Sequence, residues 1–126
     1  MNTRHAAVWI DHHEAKIFFI EAGTSETLHP HRHIRRHETQ DERSHPADAA
    51  HYFHEVMHEL ADSEEILVVG PSSAKLELVK HAHSHDHALA EKIVGVETVD
   101  HPTNGQLLAY ARQYFHAKDR MLGTVP

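Results

Sequence analysis

The strongest constraint on the fold is a short segment in the middle of the chain, "ILVVG", residues 66–70. Its side chains are apolar without alternation, which is typical of a strand that is buried on both faces of a sheet. A run with apolar residues at helical spacing precedes it, and Gly-Pro-Ser-Ser leads from it into a second such run. This order predicts an α/β architecture.

Three strands are expected before that segment. The stretches 6–11 and 15–21 are rich in β-branched and aromatic residues, and only His-His-Glu separates them, which predicts a hairpin. A third strand is expected over 27–34, where Pro30 confines it to an edge or a bulge. We expect a helix from Pro46, because apolar side chains then recur at helical spacing: Ala49, Tyr52, Phe53, Val56, Met57 and Leu60.

After the central strand, Ser72 is expected to cap a helix that buries Leu76, Val79 and Ala82. A short helix over 88–93, a strand over 94–100 and a last helix from Thr103 complete the chain. Three strands followed by helix, strand, helices, strand and helix predict one α/β domain over residues 1–126. Its mixed β-sheet is flanked by helices.

Composition limits the possible functions. The 126 residues carry a formal charge of −7, which argues against a general nucleic-acid coat, so any RNA contact must be local. The chain has 17 histidines, which make its charge sensitive to mild acid. It has no cysteine, which excludes thiolate metal sites and thiol catalysis and fits a reducing, cytoplasmic location. No apolar run is long enough to span a bilayer, so we expect no membrane partner.

The turn "GPSSAK", residues 70–75, follows a strand as many phosphate-binding loops do. A Walker-type loop needs several glycines whose backbone amides wrap the phosphates, but this turn has one glycine and a proline without an N–H. We therefore expect it to connect parts of the scaffold.

Three segments carry a resemblance to a known family: "AAVWIDHHEAKIFFI", "EEILVVGPSSAKLELV" and "GVETVDHPTNGQLLAYARQYF". In order and spacing they resemble the middle domain of the eukaryotic and archaeal peptide-chain release factors and of Pelota. They resemble more closely the bacterial single-domain relatives described as translational machinery proteins. The match covers about residues 5–118 and implies a ribonuclease-H-like fold, a ribosomal partner, and a scaffold role for Gly70, Pro71 and Lys75.

The same resemblance exposes a difference in the loop after the third strand. Release factors carry Gly-Gly-Gln there, where glycines allow a tight backbone and the segment positions water against the peptidyl-tRNA ester. Here the region is "HPHRHIRRHETQDERSH", with no glycine and with Gln40 as its only glutamine. The tripeptide Asn104-Gly105-Gln106 is not a substitute, because Thr103 and Gln106 match a helix capping box.

The loop region does concentrate positive charge. It contains Arg32, Arg35, Arg36 and Arg43, four of the 12 basic residues of the chain. Arginine forks bind phosphate oxygens and stack on bases, which suggests contact with ribosomal RNA or tRNA. The alternative is an edge strand whose charges only prevent aggregation.

The segment "HAHSHDH" places His81, His83, His85 and His87 at alternating positions, so a helix or a strand would bring two onto one face. Neutral imidazoles bind Zn or Ni, but a defined site needs three or four converging ligands. We expect this segment to be a mobile connection between helices, with adventitious Zn or Ni binding and no resident cofactor. The histidines of the first long helix are expected to lie on its solvated side: His51, His54 and His58.

Three functions follow from these observations. The first is a ribosome-associated protein that binds rRNA or tRNA through its arginine-containing loop, without Gly-Gly-Gln peptide release. The second is a peptidyl-tRNA hydrolase that uses Gln40. The third is a histidine-rich protein that binds metal or responds to pH.

Overall fold

The computed structural model describes residues 5–20, 32–36 and 46–121. Its elements follow the predicted order. They are β1 (His5–Ile10), β2 (Glu14–Ile20), β3 (Arg32–Arg35), α1 (Pro46–Leu60), β4 (Glu65–Gly70), α2 (Ala74–His85), α3 (His87–Glu91), β5 (Ile93–Thr98) and α4 (Asn104–Met121). The part of the predicted third strand before residue 32 lies outside the described residues.

The strands form one mixed sheet in the order β3-β2-β1-β4-β5. The hairpin strands β1 and β2 are antiparallel, as are β2 and β3, whereas β4 is parallel to both β1 and β5. Val8 of β1 lies between Ile17 of β2 and Val68 of β4. The hairpin turn is closed by Asp11, whose Oδ1 accepts hydrogen bonds of 2.8 Å from the backbone N–H groups of His13 and Glu14.

Helices cover both faces of this sheet. Successive side chains of a strand point to opposite faces, so Ile66 and Val68 pack with α1, α2 and α3, while Leu67 and Val69 pack with α4. All four side chains are fully buried. The fold is therefore the predicted α/β arrangement with helices flanking a mixed sheet.

Two details of α2 differ from the sequence expectation. Its N-cap is Ser73, one residue later than predicted, and the buried face runs through Ala74, Leu78 and Ala82. Leu76, which we expected in the core, is 58% exposed. The apolar positions allowed more than one helical face, and contact with the sheet selected this one.

The histidine-rich segment is helical, and the expectation that it connects two helices is wrong. Helix α2 continues through His85, and Asp86 alone separates it from α3. The Oδ1 of Asp86 accepts a hydrogen bond of 3.1 Å from the N–H of Leu89, which caps the short helix. Burial of Ala82 and Leu89 holds both helices on the core, and this anchoring outweighs the polar composition between them.

The start of α4 confirms the predicted capping box. The N–H of Thr103 donates to the side-chain oxygen of Gln106 over 2.9 Å, and the N–H of Gln106 donates to the Thr103 hydroxyl over 3.1 Å. Gln106 thus serves the helix end. None of the described helices is long and apolar enough to cross a membrane.

The turn after β4 is held by contacts with the backbone of the chain. Gly70 lies so near β1 that an added Cβ would be 2.1 Å from the carbonyl oxygen of Ile10. Lys75 is only 7% exposed, and its Nζ donates to the carbonyl oxygen of Ser72 over 2.6 Å. These contacts agree with the expectation that the turn connects parts of the scaffold.

Replacing Gly70 by Ala should destabilise the chain by about 1–3 kcal/mol, because the new methyl group meets backbone that cannot rotate away. Urea unfolding of both proteins measures the difference. Gly95→Ala is the matched control, since its Cβ would meet mainly the Tyr114 side chain, 2.1 Å from the hydroxyl. A smaller loss is expected there because a side chain can move; an equal or larger loss in Gly95→Ala would contradict this account.

The contact between α4 and β5 predicts that the folded chain loses stability at alkaline pH. The hydroxyl of Tyr110 donates to the carboxylate of Glu97, and burial, then this hydrogen bond, raise the pKa of Tyr110 to about 12. An unfolded tyrosine ionises near pH 10. The contribution of Tyr110 to the free energy of unfolding is therefore complete below pH 10, and it is lost as pH rises towards 12. In urea unfolding at pH 8 to 12, we expect the free energy of unfolding to fall more steeply in the native chain than in Tyr110→Phe; parallel curves would refute the linkage.

Candidate functional site

The arginine-bearing edge of the sheet comprises β3 and Arg36. Arg32 is 55% exposed, and its Nε lies 3.3 Å from Oε1 of Glu59 on α1. Arg35 is exposed and stands opposite Glu14 in the strand register. Arg36 continues the pairing, because its N–H donates to the carbonyl oxygen of His13 over 2.8 Å. The predicted residues Arg43 and Gln40 lie outside the described residues.

Arg36 occupies a partly buried position near the hairpin turn. Its Nε is buried and has no hydrogen-bond partner among the residues that the structure describes. Nearby, the Tyr52 hydroxyl donates to the carbonyl oxygen of Asp11 over 3.0 Å. Burial raises the pKa of Tyr52, with a further contribution from Asp11 and Glu14, whereas Arg36 opposes this shift. The guanidinium therefore lies in a region with acidic neighbours.

A set of polar side chains lies at the carboxyl ends of β1 and β4, where α/β folds often place binding sites. His12 Nε2 is 2.7 Å from Oε2 of Glu77, and the Ser72 hydroxyl is 3.4 Å from His12 Nδ1. A serine hydroxyl, an imidazole and a carboxylate in this order resemble the catalytic triad of hydrolases. However, the serine contact is longer than the about 2.6–3.2 Å of an activated nucleophile, and the ion pair is solvent-exposed. The arrangement is that of a surface ion pair.

The four predicted histidine ligands separate into two pairs on the structure. His81 and His85 are one helical turn apart on α2, and they meet His54 of α1. One ligand atom from each of these three lies within 4.8 Å of the others. His83 and His87 face each other elsewhere, with ring centroids 6.0 Å apart. We call His54, His81 and His85 the histidine cluster.

Sequence reasoning missed His54, which it placed among solvated residues of α1. The residue is indeed exposed, but it lies on the rim of α1 that faces α2. Its ring centroid is 4.6 Å from that of His81 and 5.2 Å from that of His85. No pattern within α1 indicates this contact, because it depends on how two helices pack on the sheet.

His81 is the least exposed member of the histidine cluster. Its ring lies 5.6 Å from that of Phe53, and its Nε2 is buried without a hydrogen-bond partner among the described residues. Burial lowers the pKa of His81, and the neighbouring His85 and His54 lower it further. The neutral imidazole, which is the form that binds metal, is therefore favoured.

Solved structures match most of this chain in fold. Pelota from Thermoplasma acidophilum matches with a TM-score of 0.58 at 19% identity over 82% of this chain. The archaeal translation termination factor aRF1 matches with a TM-score of 0.58 at 14% identity over 96%. The chain has the fold of one part of each of these factors. Dom34 of S. cerevisiae, a translation termination-like factor, matches with a TM-score of 0.53 at 10% identity over 97%.

The match covers only part of each of those longer proteins. The chain spans 29% of the Pelota, 41% of the archaeal factor and 39% of Dom34. The predicted resemblance to the release-factor middle domain is thus confirmed at the level of the fold. No family model matches the sequence, and no curated protein matches it either.

Proposed function

We propose that this chain is a translation-factor-like protein that binds rRNA or tRNA on the ribosome. The contact surface is the arginine-bearing edge, with Arg32, Arg35 and Arg36, together with the following segment that contains Arg43. Peptide release by a Gly-Gly-Gln mechanism is not part of this proposal, because the chain has no such motif. The observation that carries the proposal is a cationic strand at the edge of a termination-factor fold.

The position of β3 supports a contact with RNA. It is the outermost strand of the described sheet, so one of its sides is not paired with another described strand. Arg35 is exposed, and Arg32 projects far enough to remain 55% exposed beside Glu59. An exposed ion pair of this kind contributes at most about 1 kcal/mol, so phosphate oxygens can replace the carboxylate.

The charge distribution also supports a local contact. The chain as a whole is acidic, with a formal charge of −7, and it repels phosphate in general. Four of its 12 basic residues fall within residues 32–43. These arginines offer RNA phosphates a short cationic stretch, so binding there must depend strongly on orientation and on salt.

The names of the structural neighbours support the choice of partner. One of them is named as a translation termination factor, and another as a termination-like factor in RNA quality control. We infer by analogy that the partner is the ribosome or its bound tRNA. A cytoplasmic location accords with this partner.

Replacing Arg35 by Ala should weaken co-sedimentation of the chain with ribosomes. Each lost phosphate contact makes the negative slope of log affinity against log salt shallower by about 1. The loss of affinity in the variant should therefore be largest at low salt. Pelleting assays at two salt concentrations measure both quantities.

Lys80→Ala is the matched control for this experiment, since it removes one exposed cation from α2, away from β3. It should leave the affinity and its salt slope nearly unchanged. Equal losses in the two variants would show a nonspecific charge effect, and salt-independent pelleting would refute phosphate recognition.

Gln40→Ala should not alter the fate of a nascent peptide. The sequence around Gln40 contains no glycine, whereas the ester-cleaving motif requires two. Addition of the chain to stalled ribosome complexes should therefore release no peptide in either form. Electrophoresis of the peptidyl-tRNA measures this. Release that depends on Gln40 would favour a peptidyl-tRNA hydrolase instead.

A further inference from the structure

We propose that His54, His81 and His85 form a binding site for a borderline divalent transition-metal ion, Zn²⁺ foremost, which connects α1 to α2. The site goes beyond the proposed RNA contact and does not depend on it. Its ligands come from two helices that are far apart in sequence but adjacent on the same face of the sheet.

The backbone positions fit such a site. His81 and His85 are four residues apart on α2, a spacing that places two imidazoles on one helical face, as in helical zinc-binding motifs. Their ring centroids are 4.2 Å apart. His54 supplies a third ligand from a different helix, as zinc sites with three protein ligands require.

The side chains need only small movements to reach bonding distances. Zinc–nitrogen bonds of about 2.0–2.1 Å in a tetrahedron place two nitrogens about 3.3 Å apart. The three ligand atoms already lie within 4.8 Å of one another. Rotation about the side-chain torsions of the exposed His54 and His85 can close this difference without moving the helices.

A second observation concerns the partners of these three imidazoles. Three other histidines, His5, His12 and His33, each lie 2.7 Å from a carboxylate oxygen. Within the described parts of the chain, no carboxylate lies within ion-pair distance of the histidine cluster. The buried Nε2 of His81 has no partner there at all. A buried polar atom without a hydrogen bond is destabilising, and a metal–nitrogen bond would offset that loss.

The surroundings favour a cation over an anion. His54 and His85 line a surface cleft together with three carboxylates, Glu55, Glu59 and Asp86, and with Arg32, whose guanidinium lies 3.3 Å from Glu59. These carboxylates raise the local concentration of divalent cations, and water can occupy the fourth coordination position. Imidazole ligands without thiolate suit Zn²⁺, Ni²⁺ and Cu²⁺ rather than Mg²⁺ or Ca²⁺.

The helices also provide a rigid frame. Phe53 of α1 and Ala82 of α2 are buried in the same core, next to the cluster members His54 and His81. A metal bound here therefore joins two elements that are already packed, so little ordering is needed on binding. We expect the bound ion to stabilise the folded chain, because the ligands are brought together only in that state.

Titration of the full chain with Zn²⁺, after removal of any affinity tag and in competition with a chromophoric chelator, tests the proposal. One equivalent should bind, and His54→Asn and His85→Asn should each lower the affinity at least tenfold. His83→Asn is the matched control, because it removes an exposed histidine from the same helix and should change the affinity less than twofold.

Thermal unfolding provides a second readout for folded variants. Zn²⁺ should raise the Tm of the native chain and of His83→Asn, but not that of His54→Asn. Since His54 and His85 are exposed, both variants should fold, which circular dichroism verifies. Several weak equivalents in the native chain, or equal losses in His83→Asn and His54→Asn, would show adventitious binding and overturn the site.

Discussion

Burial of β1 and β4 between two helical layers is the constraint on which the rest of the structure depends. Ala6, Val8 and Ile10 point to one layer, and Ala7 and Trp9 point to the other. Fully burying a large apolar side chain contributes about 1.5–3 kcal/mol. The polar residues of these two strands, His5 and Glu65, lie at the first position of each strand, where they pair over 2.7 Å. Even the turn after β4 is fixed by this arrangement, because Gly70 packs directly against the backbone of Ile10.

The candidate functional side chains consequently lie at the margins of the sheet. The arginines lie on the outermost described strand, and the histidine cluster lies where the rims of α1 and α2 meet. These two regions are neighbours, since Arg32, His54 and His85 line one cleft. A metal ion there would add positive charge beside the arginine-bearing edge. The same marginal position leaves Arg32, Arg35, His54 and His85 exposed to solvent.

The fold is shared with one part of translation factors that are much longer. The Gly-Pro turn, the capped final helix and the central parallel pair belong to the scaffold. The arginine-bearing edge and the histidine cluster do not follow from the fold, because neither is needed to fill the core. They are therefore the features that a functional hypothesis has to explain.

The sequence by itself determined the order of the elements, the buried central strand and the capping box at Thr103, because these depend on local periodicity and on contacts within a few residues. It also determined the local excess of arginine. Only the tertiary structure decided that Leu76 is exposed, that the segment around His85 is helical and that His54 meets His81. Those outcomes depend on how α1 and α2 pack against the sheet, and contacts between residues distant in sequence leave no periodic signal in either helix.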